Sequence, residues 1–114
     1  MPAAPFKAKL VWHSPGLGLV EVAGEVDMNT AQELDAILVE ALRGGADRLV
    51  VDLTAVGFID SIGLSVLVRN AKLLLARGGA YDIVCGSRLM RIFEIAGLPE
   101  VLSFHSTLTD ALTT

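Results

Sequence analysis

A single cysteine in 114 residues rules out an internal disulfide framework and suits a reducing, cytoplasmic setting. Aromatic residues are scarce, at 5% of the chain, so any core has to be built from Val, Leu, Ile and Ala. Long apolar runs are missing too. A membrane span takes about 20 apolar residues, and the longest candidate, IGLSVLVRNAKLLLA, is interrupted by Arg69, Asn70 and Lys72. The start, MPAAPFKAKL, has no apolar stretch of signal-peptide length. No partnership with a membrane is expected. There is no Lys/Arg cluster, and the net charge of -4 argues against nucleic acid as a partner. His13 and His105 have no metal-ligand spacing with each other or with Cys85. No phosphate-loop motif is present. Neither a metal nor a cofactor is expected.

What the chain does have is 53% apolar and 19% charged residues, enough to bury a core and unlike a disordered segment. Its length fits one domain over residues 1–114, with a core over about 7–113. Lys7 to His13 alternates and runs into the turn signal Ser14-Pro15-Gly16; with Leu17 to Val26 it predicts a hairpin. Leu34, Ile37, Leu38, Ala41 and Leu42 fall on one helical face. Thr30 and Glu33 match a capping box at the start of that helix, with Asn29 as the alternative cap, and Gly44-Gly45 ends it.

RLVVDL, Arg48 to Leu53, reads as a short buried strand followed by a loop. Ile62 to Arg77 has helical spacing, and Ala80 to Cys85 is the next strand. A short helix follows, with Ser87 as cap, Gly97 as stop, and Met90 and Phe93 on its inner face. Val101 to His105 reads as the last strand, and Thr107 to Leu112 as a closing helical turn or two. The order β-β-α-β-α-β-α-β-α predicts an α/β domain: a mixed sheet of about five strands covered by helices.

The informative stretch is FIDSIGL, Phe58 to Leu64, between a buried strand and a helix. In open α/β sheets, sites form outside the carboxyl ends of the strands. Two polar residues there have a plain explanation: Asp60 or Ser61 caps the helix, and Gly63 permits close packing. A nucleophilic serine is a second reading, since a strand-serine-helix turn is the geometry of the hydrolase elbow G-x-S-x-G. Gly63 fits its second glycine, but Ile59 stands where the first belongs. A third reading makes Ser61 a phosphoacceptor, beside helix-start amides that favour negative charge. Elsewhere the residues have structural readings. Cys85 reads as a buried filler, Trp12 and Tyr81 as strand packing, and Asp52 as a cap or loop hydrogen bond.

GEVD (Gly24 to Asp27), LVVDLTAVGFIDSIGLSVLV (Leu49 to Val68) and RIFEIAGLPEVL (Arg91 to Leu102) resemble the best-marked segments of the STAS domain. The resemblance runs from about Leu10 to Leu112 and is strongest to the bacterial anti-sigma factor antagonists. It implies a protein that is not an enzyme. Such a protein binds an anti-sigma factor with serine kinase activity, frees a sigma factor, and lets go once phosphorylated. A phosphoprotein phosphatase reverses the switch. On this resemblance Ser61 is the acceptor of the D-S-x-G turn, Asp60 its motif neighbour, and Gly63 the residue that shapes the turn. Asp27 would lie near the same loop, and Ile62, Leu64, Ser65 and Arg69 would be exposed partner contacts. Many relatives carry a second hydroxyl after the acceptor; Ile62 stands there instead. STAS domains also serve as scaffolds in stress signalling, which is the alternative within the family.

Overall fold

A computed structural model describes residues 5–100 and 102–113. The described elements are β1 (Lys7–Ser14), β2 (Leu17–Val26), α1 (Ala31–Arg43), β3 (Arg48–Ile59), α2 (Ser61–Ala76), β4 (Ala80–Val84), α3 (Ser87–Ile95), a 3-10 turn (Leu98–Glu100), β5 (Ser103–His105) and α4 (Leu108–Leu112). The five strands lie in sequence order, β1-β2-β3-β4-β5. β1 and β2 form the antiparallel hairpin, and every later pairing is parallel. This is the mixed, helix-covered sheet that the alternation of patterns predicts.

The central strand explains why its sequence is almost wholly apolar. Leu49, Val51 and Leu53 face the larger core, with Leu34 and Leu38 of α1, Leu67 and Leu74 of α2, and Phe93 of α3. Val50 faces the other way, toward Leu19, Val84 and Ala111 of α4. A strand buried on both faces has no polar alternation to show. The core is aliphatic, as the scarcity of aromatics requires. Phe93 and Phe104 form one tilted ring pair with centroids 4.9 Å apart.

Several boundaries differ from expectation, each for a local reason. β3 does not stop at Leu53 but runs on to Ile59, so Thr54 to Phe58 is strand and not loop. The extension pairs with β2 alone, because β4 ends opposite Asp52. The β2–β3 register shifts between Glu21 and Ala23 and again between Gly24 and Glu25. The buried residues Leu53, Val56 and Ile59 therefore recur every third position and hide the period of two.

The capping box at Thr30 does not form. Thr30 occupies the cap position, but its hydroxyl points back, donating to the Glu25 carbonyl at 2.8 Å and accepting from the Asp27 amide at 3.0 Å. Asn29 does not cap either; its amide donates to Asp27 Oδ1 at 2.9 Å. The Asp27 carbonyl instead accepts from the amides of Thr30 and Ala31. Ser87 is the first residue of α3 rather than its cap, a place taken by Gly86. β4 ends at Val84, one residue before Cys85, whose amide still bonds the His105 carbonyl. Within the expected strand Val101 to His105, Val101 lies outside the described residues and the strand itself is Ser103–His105.

Candidate phosphoacceptor site

Ser61 sits where β3 hands over to α2, and three devices fix that junction. The first is a backbone tie: the Asp60 amide donates to the Val26 carbonyl at the end of β2, 3.0 Å away. The second is the cap. Asp60 has extended backbone, and its Oδ1 accepts from the amides of Ile62 at 3.0 Å and Gly63 at 2.9 Å. Asp60, not Ser61, is the residue that closes the helix start. The third is a close approach. A methyl group at Gly63 would stand 2.6 Å from Val26 Cγ1 and 2.8 Å from Ile59 Cγ1, so only glycine lets α2 begin against both strands.

Ser61 follows as the first helical residue, with its side chain exposed. Asp27 comes immediately after Val26 and is half-buried. Its position is fixed by the Thr30 hydroxyl described above. The bend that aims it begins at Gly24, whose φ of +96° is a region that L side chains rarely adopt. The GEVD and DSIG segments thus meet at the carboxyl ends of neighbouring parallel strands.

The remaining predicted contacts lie along α2. Ile62 is 45% exposed, Leu64 is half-buried, and Ser65 is exposed with its hydroxyl donating to the Ser61 carbonyl at 2.9 Å. Arg69 is also exposed, but it is not a free cation: its Nη2 lies 2.5 Å from Asp35 Oδ1 on α1. The buried Asn70 donates to the same carboxylate oxygen at 2.8 Å and to the Val66 carbonyl. Burial pushes the Asp35 carboxyl up, yet the hydrogen bonds from Asn70 and Arg69 and the guanidinium charge outweigh it, leaving the pKa below its ordinary value. A groove of about 380 Å³ runs between α2 and the segment after α3, lined by Leu64, Val68, Arg69, Lys72, Ala96 and Leu98.

Two exposed apolar residues flank the site without having been singled out by sequence reasoning: Met28, 72% exposed after Asp27, and Phe58, 46% exposed before Ile59. The signal for both was an apolar residue directly beside a polar motif. Phe58 pairs in register with Glu25, which puts it beside the same β2 terminus.

The histidines lie elsewhere. His13 is on β1 near the hairpin turn, at the end of the sheet opposite Ser61. His105 Nε2 is 2.9 Å from Asp82 Oδ1. No imidazole is set beside Ser61 as a general base would be. Asp52 accepts from the amide and hydroxyl of Thr54; the bond expected for a cap or loop forms here within the strand itself. Cys85 is buried, and burial pushes its thiol up to about 11. No helix among the described residues is long and apolar enough to cross a membrane.

The family model of the STAS domain matches residues 9–111. The chain belongs to the STAS domain family. Among curated relatives of this STAS domain, the anti-sigma-F factor antagonist RsfB of Mycobacterium tuberculosis is 32% identical over 99 residues, covering 86% of this chain and 80% of that protein. The anti-sigma-B factor antagonist of Bacillus subtilis is 37% identical over 88 residues, covering 76% of this chain and 80% of that protein. A crystal structure of an anti-sigma factor antagonist from Mycobacterium paratuberculosis has a TM-score of 0.88 and 31% identity, over 96% of this chain and 92% of the other.

Proposed function

We propose that this STAS domain is an anti-sigma factor antagonist switched at Ser61. In its unphosphorylated form it binds an anti-sigma factor that is also a serine kinase, and a sigma factor is released. Phosphorylation of Ser61 ends the binding, and a phosphatase restores it. The exchange takes place in the cytoplasm and requires no catalysis by the antagonist. The observation that carries this reading is an exposed serine at the first position of α2, on a turn whose shape is fixed by Asp60 and Gly63. Relatives more than 30% identical and named as antagonists support it.

The chemistry of the switch is electrostatic. A phosphate brings about -1.5 to -2 charges. Like charge pressed against a partner costs on the order of several kcal/mol, and each ~1.4 kcal/mol is tenfold in affinity. The surface around Ser61 is suited to a contact that must be tight and then lost. Ile62 follows Ser61 as exposed apolar area, Met28 and Phe58 are exposed at the adjoining ends of β2 and β3, and Asp27 and Asp60 add acidic charge at the same strand ends.

The test is incubation with ATP and the anti-sigma kinases of the host, read by intact mass, site mapping and binding, beside Ser61→Ala. One added phosphate on Ser61, with loss of binding, is the expected result. Binding with no phosphate by any candidate would leave a constitutive antagonist or a scaffold. Labelling of Ser61 by a fluorophosphonate would replace the proposal with a hydrolase.

A further inference from the structure

The start of an α-helix attracts anions because its first four amides lack intrahelical partners and point outward. At α2 those amides belong to Asp60, Ser61, Ile62 and Gly63. Three of them are already engaged. The Asp60 amide is bonded to the Val26 carbonyl, and those of Ile62 and Gly63 are bonded to one oxygen of the Asp60 carboxylate. The site that would hold a phosphate is filled in advance by a side chain carrying the same sign of charge. Gly63 is buried against Val26 and Ile59, so the helix start has no room to turn its amides elsewhere.

From this we propose that Asp60 keeps a phosphate on Ser61 off the helix terminus, so that the phosphate stands outside the fold, beside a like charge. The inference rests on Ser61 being the acceptor. To capture the Ile62 and Gly63 amides, the phosphate would have to expel a carboxylate that would then face it unpaired. Remaining outside costs less, because Ser61 is exposed. Of the four helix-start amides, that of Ser61 is the one not bonded to Val26 or to Asp60 among the described residues. The carboxylate of Asp60 stands on one side, and Asp27 follows the Val26 carbonyl to which Asp60 is tied. The functional consequence is specific. A phosphate neutralised by helix amides would repel a partner weakly and be slow to remove. One held out beside a carboxylate repels strongly and stays open to a phosphatase. The aspartate before the acceptor is therefore part of the switch, and not only a cap.

The experiment places phosphoserine at position 61 by genetic encoding, so no kinase is needed and its outcome is separate from whether a kinase acts there. Backbone amide and phosphorus NMR spectra are followed from acid to neutral pH. Through the phosphate's second ionisation, near pH ~6, the Ser61 amide is expected to move strongly while Ile62 and Gly63 hold their shifts. In Asp60→Asn, which keeps a capping oxygen and loses the charge, the phosphate's midpoint is expected to fall. The proposal is overturned if Ile62 or Gly63 moves as far as Ser61, or if the midpoint is unchanged in Asp60→Asn. Loss of the dispersed spectrum on introducing phosphoserine would overturn it as well.

Discussion

A methyl group added at Gly63 has no free space. It would press on Val26 Cγ1 and Ile59 Cγ1 and come within 3.1 Å of the Val26 carbonyl oxygen. Alanine is a better helix former by about 1 kcal/mol, whereas overpacking a well-filled site costs about 1–3 kcal/mol. The crowding atoms belong to two strand residues locked in the sheet, so the second effect wins. Gly63→Ala should lose about 1 kcal/mol in urea unfolding, and Ser61 should be phosphorylated more slowly because α2 starts farther from β2. A variant as stable as the parent would show that the junction has slack. The residue scale is also where the sequence was least decisive. Asp60 and Ser61 are both good caps, and the sequence alone left the choice open. Extended backbone at Asp60, set by its tie to Val26, is what makes Asp60 the cap and leaves Ser61 exposed.

Among the elements, the start of α1 shows how a correct motif can have a different use. Thr30 and Glu33 stand at capping-box spacing, but the Thr30 hydroxyl is spent on Glu25 and Asp27. It staples the end of β2 to the turn that presents Asp27. Thr30→Val keeps the shape and leaves a part-buried amide and carbonyl without this partner, a loss of about 1–3 kcal/mol. The Asp27 amide should then exchange its hydrogen faster than in Thr30→Ser, which keeps the hydroxyl. Equal exchange in the two variants would remove Thr30 from this role. The long β3 was illegible for a related reason. Register shifts in its pairing with β2 broke the alternation on which strand reading depends. Phe58 was consequently expected in a loop and not weighed as surface.

α1 and α2 are joined by the contact of Asp35 with Arg69 and Asn70. Its pH dependence follows from the direction of the Asp35 shift. The carboxyl is held below its ordinary value of 3.8, so the folded state favours the charged form. That stabilisation is complete above the ordinary carboxylate range and is lost as the pH falls through the lower folded value. The stability gap between the parent and Asp35→Asn should be constant near neutral pH and should close below pH about 4. Such a gap persisting at low pH would mean that the contact does not depend on the charge.

Across the whole molecule, β3 separates two regions with different work. It begins at Arg48 and ends at Ile59, directly before the Asp60–Ser61 turn. At ~3.3 Å per residue these ends are roughly 35 Å apart. Arg48 Nε is 3.0 Å from Asp82 Oδ2, Asp82 also bonds His105, and the Arg48 guanidinium donates to the Ala111 carbonyl of α4. This polar cluster pins α4 over Leu19, Val50 and Val84, on the sheet face opposite α1 and α2. Arg48→Met would remove the guanidinium from a mostly buried carboxylate. Breaking a fully buried pair costs about 3–5 kcal/mol; with the Arg48 side chain 24% exposed and His105 still in place, about 2 kcal/mol is expected. Because the cluster lies at the other end of β3 and on the other face, the folded variant should still accept phosphate at Ser61 and bind the same partner with unchanged affinity. Calorimetric unfolding together with a binding titration below the unfolding range checks both halves. Lower stability with equal affinity would separate the anchoring of α4 from the switch. A matched fall in affinity would mean that the partner reaches around the sheet to the α4 face, and that the binding surface extends well beyond the turn and the helix that follows it.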